Sequence, residues 1–225
     1  SLALNDLIKF LRAAYQGPEL FILEKVVKKG RVIFDLKINY DENGKIKDDY
    51  EIRGTIKDGK IQFFNNYSFE KINFKFNMNQ EIFKFQDIKF ATNKINFFSE
   101  KVNIKQDKDI FYVEGIIENK QSNLSENFLK IININLKNLN FENTIFNSRN
   151  NFKFEINKKF KLNNIFFESD LSLNQIKYKK ESYVSDYFPK VNDEIVLKNH
   201  KLKLEYNKNL LSIIGEGEIK LEENF

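Results

Sequence analysis

The chain is 225 residues long, with 24 Phe, no Trp and no Cys, and carries a formal charge of +5 at pH 7. The missing Cys excludes a disulfide framework and a thiolate zinc site. No apolar run approaches the ~20 residues of a membrane-crossing helix, and the Lys, Asn, Ile and Phe usage shares AT-rich codons, so the charge alone does not mark an anion-binding surface.

Residues 1–29 carry the only helical pattern. Leu2, Leu4, Leu7, Ile8 and Leu11 follow the helical period, with Asn5, Asp6, Lys9 and Arg12 turned away. Gly17-Pro18 breaks this helix, and Pro18 suits the first position of a second one. Leu20, Leu23 and Val27, with Ile22 and Val26, form its apolar stripe. Lys25, Lys28 and Lys29 favour its C-terminal dipole, and Gly30 reads as its C′ residue.

From Gly30 the period changes to two. Val32, Phe34, Leu36, Ile38 and Tyr40 share one face, and Ile33, Asp35, Lys37 and Asn39 the other, which a helix cannot arrange. Asp41-Glu42-Asn43-Gly44 ends the run. Tyr50, Ile52, Gly54 and Ile56 define the next strand. Asp58-Gly59 predicts a two-residue hairpin turn, since both residues tolerate positive φ. Ile61 and Phe63 then lead to Ile72, Phe74, Phe76 and Met78.

The alternation persists to the end of the sequence. Phe83 and Phe85 have one parity and Ile88 and Phe90 the other, which predicts a turn or bulge near Gln86-Asp87. Strands are expected at Ile95–Phe97, Val102–Ile104 and Ile110–Ile117. Glu118 to Glu126 reads as a polar loop and a sub-boundary. Further strands are expected at Phe128–Leu136, Leu139–Phe146, Phe152–Ile156, Phe160–Phe167, Leu171–Tyr178, Ile195–Tyr206 and Leu210–Leu221. Tyr187-Phe188-Pro189 reads as a loop or edge. Gly54, Gly115 and Gly215 each fall inside a strand, where glycine marks a bulge, a bend or a close approach. The sequence begins at Ser1 and its pattern still runs near its end, so it reads as a segment of a longer protein. The expected organisation is a helical segment at 1–29, an antiparallel β-meander at 30–117 and a continuation of the same architecture at 127–225.

Catalytic constellations are missing from the pattern. His200, the one histidine, reads as part of an exposed turn and lacks a second imidazole or a marked nucleophile. Asp48-Asp49 and Glu222-Glu223 read as solvated pairs, and the glycines are too scattered for a phosphate loop. No enzyme, cofactor or metal is expected. Single-strand nucleic-acid binders put cations and stacking aromatics on one face. Here the alternation sends Phe to one face and Lys to the other, so no nucleic-acid partner is expected.

Three motifs then take on a further meaning: a short helix (ELFILEKVVKKG), a strand leaving Gly30 (GRVIFDLKI), and a strand with an interior glycine and a DG pair (YEIRGTIKDGKI). Over Phe21 to Ile61 the chain resembles the AsmA-like envelope proteins, especially the YhdP-type members related to TamB. The segment up to Ile117 (FYVEGII) is similar to the next part of that pattern, and the C-terminal half is similar in style. The resemblance implies a long curved antiparallel sheet forming a hydrophobic groove. It implies phospholipid movement between inner and outer membrane by a periplasmic protein, held to the inner membrane by an anchor outside this sequence. Phospholipids are the implied partners, alongside other envelope proteins. The expected groove residues are Val32, Phe34, Leu36, Ile38, Ile52, Ile61, Phe63, Ile72, Phe74, Phe76, Met78 and Phe97. The alternatives left open are a structural β-sandwich with a closed core and a surface adhesin or spacer.

Overall fold

The computed structural model describes residues 1–14, 18–45, 47, 49–63, 67–79, 81–124, 139–159, 161–179, 187 and 194–220. The fold is mainly antiparallel β, with two short helices near the N-terminus. In chain order the elements are β1 (Leu2–Ala3), α1 (Leu4–Ala14), α2 (Pro18–Val26), β2 (Val27–Lys37), β3 (Glu51–Gln62), β4 (Ser68–Met78), β5 (Ile82–Thr92) and β6 (Ile95–Asp107). They continue with β7 (Ile110–Asn123), β8 (Leu139–Asn140), β9 (Ile145–Asn157), β10 (Leu162–Lys179), β11 (Glu194–Asn207) and β12 (Leu210–Lys220). The twelve strands form one sheet in the order β1-β2-β3-β4-β5-β6-β7-β9-β10-β11-β12, with β8 on β10. Two compact units divide the chain: Ser1–Ile117 with Asn151–Phe166, and Glu118–Asn150 with Phe167–Phe225.

The helical segment is shorter than its pattern suggests. Leu2 belongs to β1, which pairs with Arg31 and Val32, and α2 ends at Val26. Gly30 is therefore a strand residue, at φ 152°, and not a helix C′ residue. Val27 and Val26 join Ile8 in a buried cluster against which Leu4 and Ile61 pack. Burial of these branched side chains at the helix–sheet junction outweighs the lysine-rich continuation of the helix.

Asp58-Gly59 is not a hairpin turn. Both residues lie inside β3, where Ile56 pairs with Phe74 and Gly59 with Ile72, so Lys57 and Asp58 oppose Asn73 alone. That is a bulge. Asp58 takes φ 51° whereas Gly59 does not have positive φ, and a type I′ turn needs it at both. The Asp58 amide donates to Asn73 Oδ1 at 3.1 Å, so the displaced backbone donor is satisfied. The connection to β4 comes later, where Phe63 N donates to Tyr67 O. The bulge expected near Gln86-Asp87 is present: Asp87 has φ 53°, Lys75 pairs with Gln86 and Asn73 with Lys89.

Several expected breaks vanish. Glu118 to Asn123 is the end of β7, not a loop. Ile95–Phe97 and Val102–Ile104 are one strand, β6, and the strands expected at Phe160–Phe167 and Leu171–Tyr178 are one strand, β10, from Leu162, with Phe160 outside the described residues. Leu139–Phe146 instead divides into the short β8, a turn at Glu142–Asn143 and the start of β9, which runs on through Ile156. His200 lies within β11 at a register shift between Lys198 and Lys201, not in a turn. The strand expected at Phe128–Leu136, and Gly17, Phe188 and Pro189, lie outside the described residues.

Candidate functional site

Directly opposed residues of antiparallel strands share a face. In the first unit they form continuous cross-strand ladders. One runs Leu36–Ile52–Met78–Phe83–Ile104, the next Phe34–Gly54–Phe76–Phe85–Val102, and a third Val32–Ile56–Phe74. The other face carries Asp35–Arg53–Asn77–Lys84–Asn103 and Ile33–Thr55–Lys75–Gln86–Lys101. Phenylalanine and lysine are thus separated by the sheet itself.

The apolar face holds two aromatic groups. Phe74 meets Phe85 edge-on with centroids 5.6 Å apart, and Phe76 lies 6.3 Å from Phe74. Past the bulges, Phe63, Phe69, Phe90 and Phe97 form a chain with centroid spacings of 5.7, 5.3 and 5.2 Å, the last pair stacked. Most of these rings are half-buried, whereas Val32 and Ile72 are buried. The strands that carry this face belong to one hydrogen-bonded sheet.

Of the expected groove residues, Val32, Phe34, Leu36, Ile52, Phe74, Phe76 and Met78 lie on the ladders. Ile61 pairs with Phe69 but packs against the helix cluster. Ile72 is buried opposite Gly59, Phe63 and Phe97 belong to the second group, and Ile38 lies past the end of β2. Phe69, Phe85 and Phe90 complete the aromatic groups and were missed as site residues. Their strand parity, read from the bulge at Asp87 and the one at Lys71, is the signal that would have found them.

Interior glycines make this packing possible. A Cβ on Gly54 would fall 2.5 Å from the Phe76 ring and 2.8 Å from Phe34 Cβ. Gly115 is likewise enclosed by Phe152 and Val102, each 2.8 Å from where its Cβ would be. The glycines are close-approach sites that let large neighbours lean across the strand.

The polar face is laced with exposed ion pairs. Lys75 lies 2.8 Å from Asp87, Lys60 2.7 Å from Glu70 and Arg53 2.7 Å from Glu51. Hydrogen bonds from these cations hold all three carboxyls below their ordinary range. Pairs of this kind are solvated and structural. Among the described residues no group of three or more His, Asp and Glu is placed to hold a metal ion, and no helix is long and apolar enough to cross a membrane.

The second unit contains an open cleft of about 750 Å³, within the size range of small-molecule sites. Five strands line it at one level, with 118–120, 147–149, 170–172, 201–203 and 214–216. Its neighbourhood is polar. Asn119 donates to Phe146 O at 3.2 Å, Ser148 donates to Asn119 Oδ1, Asn150 donates to Ser148 Oγ at 2.9 Å, and Ser169 donates to Asn150 Oδ1 at 2.7 Å. Such mutual satisfaction is what allows Asn119 and Ser169 to be buried.

No family model matches this chain, and no curated protein or solved structure matches it.

Proposed function

We propose that the apolar face of β2–β6 carries phospholipid acyl chains, making this a non-enzymatic lipid-binding and transport module of the AsmA-like kind. The observation that supports this best is the half-exposed aromatic face. Sheets with one apolar face normally bury it against another layer; here Val32, Ile56 and Ile72 are sealed, but the rings of Phe69, Phe74, Phe76, Phe85, Phe90 and Phe97 stay only half-buried. Five strands at spacings of ~4.8 Å span roughly 19 Å. One leaflet of acyl chain spans roughly 15 Å, half of a ~30 Å bilayer core. A single chain therefore fits across β2–β6, with its headgroup at the polar rim. Under this reading the protein works in the periplasm between inner and outer membrane, tethered through a segment outside this sequence, and selects weakly among headgroups.

The test is Phe74→Lys. On an open face the lysine extends its amine to the rim, so the thermal melt stays cooperative while lipid content, read by native mass spectrometry and extraction, falls. An intact melt with unchanged lipid overturns the assignment of Phe74 to the lipid path. A collapsed melt shows instead that protein closes over this face. Lipid-free wild-type protein that takes up no fluorescent phospholipid overturns the whole reading.

A further inference from the structure

An asparagine or aspartate followed by glycine or serine occurs at Asn43-Gly44, Asp58-Gly59 and Asn147-Ser148. In such pairs the backbone nitrogen of the second residue can reach the side-chain carbonyl carbon of the first. A small second residue leaves that approach open, and glycine, without a Cβ, leaves it most open. The sequence alone ranks the pairs only by residue type.

The structure separates them by what holds each one. Asn147 is tied across β9: its Nδ2 donates to Ser172 Oγ at 3.2 Å, and its Oδ1 accepts from Gln121 N at 2.8 Å. Asp58 and Gly59 lie inside β3, with Gly59 paired to Ile72 and the Asp58 carboxylate 3.1 Å from Arg31. Asn43 and Gly44 sit in an exposed turn between β2 and β3. Nothing lies within 4 Å of where a Gly44 Cβ would be, and no hydrogen bond holds the Asn43 side chain among the described residues. The attacking nitrogen is restrained by a turn bond, Gly44 N to Asp41 O at 3.0 Å. A surface turn opens at far lower cost than a strand inside a sheet.

We propose that Asn43 is a site of spontaneous backbone modification. Gly44 N gives its proton to solvent base and attacks Asn43 Cγ. The new N–C bond forms, the Cγ–Nδ2 bond breaks, and the side-chain nitrogen leaves as ammonia after taking a proton from water. Water then opens the ring at either carbonyl carbon, which leaves aspartate or isoaspartate at this position. Both products add a carboxylate beside Asp41 and Glu42. Isoaspartate also inserts a methylene into the main chain. Asp41 Oδ1 accepts from Asn43 N and Lys45 N at 2.8 Å each, and Asp41 N donates to Lys45 O at 2.8 Å. The lengthened turn cannot keep all of these bonds. The connection between β2 and β3, closed further on by Lys47 N donating to Asn39 O at 2.8 Å, therefore loosens.

The test holds the full chain in mildly alkaline buffer, samples it over days, and reads tryptic peptides by tandem mass spectrometry. The peptide 38–45 should exchange the mass of NH2 for that of OH at Asn43 and split into two chromatographic isomers. Asn147, in the peptide 138–149, should stay intact over the same period. Isoaspartyl methyltransferase should label position 43 and leave position 58 unlabelled. Gly44→Ala, whose methyl shields the nitrogen, should slow the change several-fold, and Asn43→Gln, whose longer side chain does not close the same ring, should abolish it. Amide exchange at Lys45 and Lys47 should quicken in the modified fraction. The proposal is overturned if Asn43 stays intact while a synthetic peptide of residues 38–45 reacts, if Asn43 and Asn147 react equally fast in the folded chain, or if Gly44→Ala leaves the rate unchanged.

Discussion

Along β2–β6 of the first unit, the alternating positions are filled by Phe, Ile, Met and Val. In the second unit, the ends and middles of β7, β9 and β10 turn polar: Asn119, Ser148, Asn150 and Ser169. Both regions are regular strands. In one, apolar area removed from water and ring packing stabilise the face. In the other, four side chains bond to one another in sequence, so their burial leaves little unsatisfied. The contrast teaches that a strand can be held in either way, by apolar area and ring packing in the first region and by mutual hydrogen bonds in the second.

The largest expected effect comes from charging a sealed position of the first unit. Val32 is 2% exposed, and Val32→Asp buries a carboxylate without a partner. The cost of several kcal/mol is a large share of a typical ~5–15 kcal/mol. Urea denaturation should find the protein unfolded or nearly so; a normal midpoint would mean that Val32 is not sealed, and that the faces differ less than their side chains suggest.

Glycine replacement compares the two units directly. In Gly54→Ala the new methyl meets the Ile33 carbonyl oxygen at 2.4 Å and the Phe76 ring at 2.5 Å, whereas in Gly215→Ala its closest neighbour is the tip of Leu202. Overpacking costs ~1–3 kcal/mol. Gly54→Ala should sit in that range and Gly215→Ala below it, as measured by chemical denaturation of both variants side by side. Equal losses would show that the β12 flank is as crowded as the interior of β3.

Asn119→Ala tests the polar region. It takes a donor from Phe146 O and an acceptor from Ser148, and a buried group left unsatisfied costs about 1–3 kcal/mol. Stability should fall while lipid content stays at the wild-type level. Lost lipid with unchanged stability would move the lipid path into the second unit.

The smallest effect is on pH. In the first unit the carboxyls of Asp87, Glu70 and Glu51 are lowered, chiefly by hydrogen bonds from Lys75, Lys60 and Arg53. A lowered folded value gives stability that is present above the unfolded value and is lost as pH falls through the folded one, so this contribution fades below about pH 4. In the second unit Lys203 and Lys177 are raised, chiefly by hydrogen bonds from their amines to Glu168 and Glu194. Their contribution is complete below the unfolded value and is lost as pH rises past about 10.5. All five groups are solvent-exposed, so the shifts in thermal midpoint should be slight and should shrink in salt. Exchange rates read separately over β4–β5 and β10–β11 would reveal whether acid loosens the first region and alkali the second; a uniform response would cancel the distinction.

The sequence by itself determined the fold class, because period two is a local property that survives any arrangement of strands. It also located the bulge at Asp87, where the parity of Phe85 and Ile88 disagrees, and the facing of Phe74 and Phe76. It misread Glu118–Asn123, the stretch between Phe146 and Phe152, and Glu168–Asp170, because a polar run looks the same whether it is a loop or a strand. Only the tertiary structure sets those three runs beside one another, where Asn119, Ser148, Asn150 and Ser169 exchange hydrogen bonds that none could make alone. The same holds for Asp58-Gly59. Its tolerance of positive φ is legible, but whether that φ serves a turn or a bulge depends on Ile61 finding Phe69 and on Asn73 reaching the Asp58 amide from another strand. Local conformation is written in neighbours along the chain, and the choice between its uses is made by neighbours across the sheet.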